Sequence, residues 1–465
     1  MNINHLWAFL TKYRWFLVAI PLTAVYSALF GIYINNDVDN TWSTAWIYNL
    51  WNYGIQKDIV FCENDESYWG VKYFSHIYCY FYGALLSVLG WTKYNVFAIS
   101  LGLTTAGLFF WKKIADRIFK DSDKVFVFIS MLALSGVVIA TANKARSDAF
   151  VFMFMALSIY LFIGRHYFFS MLSACVAVET HPIGVITFFY LASYVFCFEQ
   201  DILFLRKKKE LGQIAAGVFC GIVIYLLLHY NNLSGLQATL NSGTSSGPSN
   251  FLAAHFWGRS SYWFRFIPEL VIFIAAYGFH FVFFKKEKIF FPLTALMILV
   301  SSFLLRRGNF HYAVFAYPAF LMLAVNTFSR PVHGMKLLLL LWMLLMIPQY
   351  ALLTWKNNPG RDYPQYIRDL SKVSFAENTR IYGMPSDWFA LCRYREFRDI
   401  SSFRNDVECY VIRHHGTIYM VKDYAYRLDN DPARWQIRII ITIKPKSGGI
   451  IEILHITPIG LANHP

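Results

Sequence analysis

Apolar residues recur along most of the chain in blocks of about 16–20, long enough to cross a hydrocarbon core of roughly 30 Å. Short polar stretches separate them. The blocks cover residues 15–34, 94–111, 124–142, 147–164, 167–180, 183–198, 212–229, 263–284, 289–305, 312–328 and 336–355. Each predicts a membrane helix. The block at 167–180 is short enough to predict a tilted or half-buried segment. Residues 74–91 are also apolar, yet a full crossing there would invert every later span. They are therefore read as part of one long first loop, 35–93, lying along or dipping into the interface. Residues 41–53 form an amphipathic helix in the same loop.

Charge orients this pattern. Basic clusters mark the cytoplasmic side. They are Lys12/Arg14, Lys112 to Lys124, Arg165, Arg206 to Lys209, Lys285 to Lys288, and Arg330/Lys336. About eleven spans starting inside put all of them on one face. The N-terminus is then cytoplasmic and the C-terminal region outside. The first block has no small-residue cleavage site, so it is read as a retained helix.

From residue 356 the pattern changes. Charged residues become frequent, with 16 Lys+Arg and 12 Asp+Glu in 356–465. Short β-like runs follow at Arg380–Met384, Glu408–Arg413, Thr417–Lys422, Gln436–Ile443 and Gly449–Thr457, after a helix at 363–375. The expected architecture is an all-α polytopic membrane domain, residues 1–355, plus a small soluble α/β domain, residues 356–465, on the outer surface. Composition agrees: 57% of residues are hydrophobic and 15% charged, against about 25% charged in soluble domains. The net charge of +14 sits in short clusters between apolar blocks, which reads as topology and not as a nucleic-acid footprint. The seven cysteines form no metal-binding spacing. Cys62, Cys79, Cys392 and Cys409 fall outside the membrane in this topology, where a disulfide could form.

The chemistry gathers at helix ends on the outer face. Asn35-Asn36-Asp37-Val38-Asp39-Asn40 follows the first span. Its two carboxylates suit a general base with an assisting group, or a divalent cation such as Mg or Mn held by Asp37 and Asp39. Capping of the next helix by Asp39 or Asn40 is the plainer reading. Lys144-Ala145-Arg146-Ser147-Asp148 offers phosphate-binding cations beside a carboxylate at a helix start. Glu179-Thr180-His181-Pro182 is a titratable turn between two blocks. Arg306-Arg307-Gly308-Asn309-Phe310-His311-Tyr312 breaks the positive-inside trend, and arginine suits bidentate phosphate recognition. Lys72 and His76 could line the same cavity.

In their order and membrane side these motifs resemble the C-type glycosyltransferase (GT-C) superfamily, which includes aminoarabinose transferases and protein O-mannosyltransferases. Asp37-Val38-Asp39 resembles its acidic first-loop motif, and Tyr53-Gly54 and Leu89-Gly90-Trp91 its small-residue turns. Arg146-Ser147-Asp148 resembles its second acidic motif, Thr180-His181-Pro182 a later turn, and Arg307 to Pro318 its late motif ending in Tyr-Pro. Where that family has an Asp-Glu pair, this chain has Asp-Val-Asp. The resemblance implies Asp39 as catalytic base with Asp37 assisting, and Arg306 or Arg307 on the donor phosphate with Lys72 and Arg146. Asp148, His181, His76, His311 and Tyr312 would line the substrate cavity. It further implies a polyprenyl-phosphate-linked sugar donor and a lipid, glycan or protein acceptor, while the compact loops point to a bacterial inner membrane. A lipid-linked glycan flippase would instead place ionisable groups at the bilayer midplane. A glycan polymerase would favour arginine-rich outer loops.

Overall fold

The computed structural model describes residues 38–54, 60, 75–198, 207–230, 267–283, 314–329, 334–357, 360, 362–403, 407–417 and 435–459. Two helices of the first loop come first, α1 (Val38–Tyr53) and α2 (His76–Leu89). The bundle follows: α3 (Lys93–Phe119), α4 (Ser122–Ala133), α5 (Gly136–Ala142), α6 (Asp148–Ile163), α7 (Tyr167–Thr180), α8 (Ile186–Phe198), α9 (Lys208–His229), α10 (Ile267–Phe283), α11 (Tyr317–Phe328) and α12 (Gly334–Asn357).

Local chemistry sets the boundaries. Thr92 opens α3 by accepting from the Asn95 amide at 3.2 Å. Lys120, in the left-handed region at φ 55°, closes it. One residue later Asp121 caps α4, accepting from the Asp123 amide at 2.9 Å. That tight connection makes α3 and α4 antiparallel neighbours. The expected single span 124–142 is broken: α4 and α5 meet at 60° across Leu134-Ser135. The break lies at a Ser-Gly pair, a recognised kink position. Tyr350 donates to the Leu134 carbonyl there at 2.6 Å, satisfying a group the helix can no longer use.

Close packing in the bundle uses small residues. Ser158 and Ser170 exchange hydrogen bonds, each hydroxyl donating to the other's carbonyl at 2.8 Å. Gly217 and Gly221, four apart on α9, press against α7. A Cβ at Gly217 would lie 2.5 Å from the Phe168 carbonyl oxygen, and one at Gly221 2.4 Å from Cys175 Cβ. Small residues at this spacing let apolar helices approach where hydrophobicity alone gives no drive. The opposite face of α9 is apolar and bare, with Phe219 66% and Leu227 69% exposed. An exposed apolar face of this kind marks a membrane or partner surface.

Among the described residues, α3 and α9 are long and apolar enough to cross a membrane, and the bent α4–α5 pair would make a third crossing. Six further apolar helices are shorter, including α6, α7 and α11. The described residues therefore leave the expected count of about eleven spans open, since the blocks 15–34 and 289–305 lie outside them.

The C-terminal part begins with α13 (Tyr363–Ser371) and carries β1 (Arg380–Gly383), β2 (Phe397–Asp399), β3 (Cys409–His415), β4 (Trp435–Ile443) and β5 (Ile450–Pro458). They form one mixed sheet in the order β2-β1-β3-β5-β4. The first three strands pair in parallel, and β3-β5-β4 antiparallel. Strand β2 is an addition to the sequence expectation. The expected Thr417–Lys422 strand lies almost wholly outside the described residues. This domain docks on the first-loop helices. Thr41 donates to the Pro385 carbonyl at 2.8 Å, and Tyr48 meets Trp388 edge-on at 5.7 Å. The Lys93 ammonium sits over the Tyr363 ring at 4.9 Å. Cys79, Cys392 and Cys409 are free thiols, so none takes part in the disulfide considered above, and Cys62 lies outside the described residues.

Candidate functional site at one end of the bundle

The turns at Lys120–Asp121 and Gly164–Arg165 share one end of the bundle, where Arg117 reaches the Tyr160 ring at 5.0 Å. The candidate residues gather at the other end. There the starts of α1 and α2, the 143–148 turn, and the ends of α7 and α9 meet through hydrogen bonds.

The 143–148 turn is held from three sides. Asn40, buried in the first turn of α1, accepts from the Ala145 amide at 2.7 Å. Ser100 of α3 donates to the Lys144 carbonyl at 2.7 Å, and Tyr78 of α2 donates to the Ala145 carbonyl. Tyr82 and Ser100 lie 2.9 Å apart behind them. The first acidic segment and the second motif, about a hundred residues apart in sequence, are thereby brought together. Within the turn, Arg146 Nε donates to Asp148 Oδ2 at 2.8 Å, with Asp148 almost wholly buried. Asp148 thus fixes the arginine as well as opening α6, where a carboxylate is favoured by the helix dipole.

The second constellation centres on Glu179, the penultimate residue of α7. Its Oε1 accepts from the His76 amide at 2.7 Å and the Ile77 amide at 3.3 Å, and Oε2 from Ser75 Oγ at 3.2 Å. A carboxylate from one helix therefore caps the N-terminus of another. His229, closing α9, brings Nε2 to 3.1 Å from Glu179 Oε1. The His76 and His229 rings meet edge-on at 4.7 Å, and Tyr225 stacks on His229 at 4.5 Å. All three ionisable residues are buried, and their ligand-capable atoms lie within 4.8 Å of one another.

The candidates from the sequence fall into three groups. Arg146, Asp148, His181 and His76 stand at this end. His181 Nδ1 accepts from the Ile183 amide at 3.1 Å and so opens the following turn. His76 is buried against Glu179 and His229. Asp39 is placed by its backbone in α1, which starts at Val38, so it stands inside the first turn and is not its cap. Asn40 likewise uses its side chain on Ala145 instead of its own helix. Asp37, Lys72, Arg306, Arg307, His311 and Tyr312, with the side chain of Asp39, lie outside the described residues. So does any Mg or Mn position built on Asp37 and Asp39. Sequence reasoning missed His229 and gave Glu179 no role. The signal for both was a titratable residue ending an apolar block on the same face as the others.

No family model matches the chain, and no curated protein matches it in sequence. Solved structures do match in fold. ArnT from Cupriavidus metallidurans in the apo state superposes with a TM-score of 0.60 at 12% identity, over 95% of this chain and 98% of that one. The same protein bound to undecaprenyl phosphate gives 0.59 over the same shares. The apo oligosaccharyltransferase of Archaeoglobus fulgidus gives 0.52 at 10% identity, over 87% of this chain and 70% of that one. The fold expected from the scattered motifs is thus one that these solved structures share, along most of the chain.

Proposed function

We propose that this chain is a membrane glycosyltransferase that moves a sugar from a polyprenyl-phosphate donor to a lipid, glycan or protein acceptor. The observation that carries the reading is the fold shared with ArnT, a protein crystallised with undecaprenyl phosphate, over 95% of this chain. The hydrogen bond from the Ala145 amide to Asn40 supports it, because it joins the two acidic motifs at one end of the bundle.

In this reading the acceptor hydroxyl attacks the anomeric carbon of the donor sugar. Asp39 takes the hydroxyl proton as a general base, assisted by Asp37. The bond from sugar to phosphate breaks, and the polyprenyl phosphate leaves with the electron pair. Its growing charge is met by Arg306, Arg307 and Lys72, with Arg146 held in position by Asp148. His181 and His76 belong to the same end, and His311 and Tyr312 would complete the substrate cavity. A bacterial inner membrane, with the sheet domain in the periplasm and the N-terminus in the cytoplasm, fits the basic clusters.

The test is transfer from a polyprenyl-phosphate sugar by Asp39→Asn and Asp37→Asn at matched membrane abundance. Asp39→Asn is expected to lose about 10²- to 10⁴-fold in rate, and Asp37→Asn less. Full activity in both variants would remove the assignment of the base.

A further inference from the structure

We propose that His76, Glu179 and His229 form a zinc site that ties together the ends of α2, α7 and α9. The three residues come from separate helices, are all buried, and converge their ligand-capable atoms within 4.8 Å. Their exposures are 4%, 2% and 3%. Burying a carboxylate among two imidazoles is costly without a compensating charge, and charges at such depth are paired or bind metal.

The donor set selects the ion. Two imidazole nitrogens and one carboxylate oxygen suit zinc, whereas magnesium takes oxygen ligands in an octahedral shell and keeps several waters. This site therefore differs in kind from the carboxylate pair at Asp37 and Asp39. Three protein ligands leave a fourth tetrahedral position for water or another oxygen ligand.

The supporting contacts are those that orient metal ligands. Tyr225 stacks on the His229 ring, fixing its plane. Glu179 is aimed by the amides of His76 and Ile77 and by the Ser75 hydroxyl. Glu179 Oε1 and His229 Nε2, at 3.1 Å, already have the separation of two ligands on one zinc. Zinc–ligand bonds of about 2.0–2.1 Å put ligand atoms roughly 3.3 Å apart, so the widest pair must close by about 1.5 Å, within reach of side-chain rotation. The proposal is independent of the glycosyl-transfer reading.

The experiment uses the purified full-length chain in detergent, free of any histidine tag, loaded with zinc chloride and desalted. Metal content is read by mass spectrometry and the zinc shell by X-ray absorption. About one zinc per chain is expected, with a shell of nitrogen and oxygen at about 2.0 Å and no sulfur. Glu179→Gln and His229→Gln should each lose at least tenfold in zinc affinity. Glu179→Gln keeps an acceptor for the α2 amides and His229→Gln keeps a donor, so both should remain monodisperse. His455→Gln, in the sheet domain, should bind as the parent does. Wild-type protein without zinc above background would overturn the proposal. So would equal retention in both variants, or a sulfur shell pointing to nearby Cys79.

Discussion

Two carboxylate–histidine pairs are buried in the two parts of the molecule, and both have their nearest contact at 3.1 Å. In the sheet domain Asp387 is surrounded by near neighbours in that domain. Met384 donates its amide at 2.8 Å, Ser386 its hydroxyl at 3.3 Å, and Tyr366 its phenol. His414 lies against the same carboxylate, and its Nδ1 stands 2.9 Å from Thr417 Oγ1. This network closes on itself inside one domain. Glu179, near the end of α7, draws its partners instead from the start of α2 and the end of α9 and faces two imidazoles. A saturated pair locks a core; a pair assembled from separate helix ends, with ring nitrogens converging, is built to take a ligand. Burial alone does not distinguish the two. The origin of the partners does.

The sharpest way to break this contrast is to remove each carboxylate in turn. Asp387→Ala leaves His414, Tyr366 and the Met384 amide without their common acceptor. It should cost about 3–5 kcal/mol, the range for breaking a buried pair, and open the sheet domain to limited proteolysis while the bundle stays resistant. Glu179→Gln should leave the protease map unchanged. Equal cleavage in both variants would mean that both pairs are structural.

A smaller effect is expected where α9 meets α7. Gly221→Val must displace Cys175, and overpacking of this kind costs roughly 1–3 kcal/mol. Gly212→Ala, with nothing within 4 Å, is the control. The melting temperature in detergent should fall for the first and not the second. An unchanged melt for Gly221→Val would mean that the two helices do not depend on close approach.

The smallest effect is a pH dependence in the sheet domain. The Arg413 guanidinium, donating at 2.6 Å, outweighs the opposing effect of burial and, with a smaller contribution from His415, holds the Glu452 carboxyl below its ordinary value of 4.5. A depressed carboxyl contributes stability that is complete above about 4.5 and fades as pH falls through the lower folded value. Arg413→Gln should therefore flatten the acid limb of a stability–pH curve below 4.5 and leave its neutral part nearly parallel. An identical acid limb would show the pair to be idle.

Helix positions were legible in the sequence wherever an apolar block ended in a charge or a proline. The block at 167–180 coincides with α7 (Tyr167–Thr180), and 363–375 contains α13. Less legible was what tertiary contact decides. The α4–α5 bend needs Tyr350, over two hundred residues away, to satisfy the freed carbonyl. Strand β2, three residues long with Arg398 at its centre, shows no alternation and exists because β1 offers it a partner. For the site, the sequence named Asn40's segment and the 144–148 turn separately, and their joining is a matter of packing. His229 was hidden because its carboxylate partner lies fifty residues earlier, on another helix.

In the proposed reaction, a polyprenyl phosphate binds at the bundle end that joins Asn40 to Ala145. The direct measurement is photo-crosslinking of the purified chain with a diazirine-bearing polyprenyl phosphate, followed by peptide mapping. Labelling within 38–54 and 144–150, lost on adding unlabelled polyprenyl phosphate, is the expected result. Competable labelling confined to the opposite end, around Lys112 to Lys124, would contradict it.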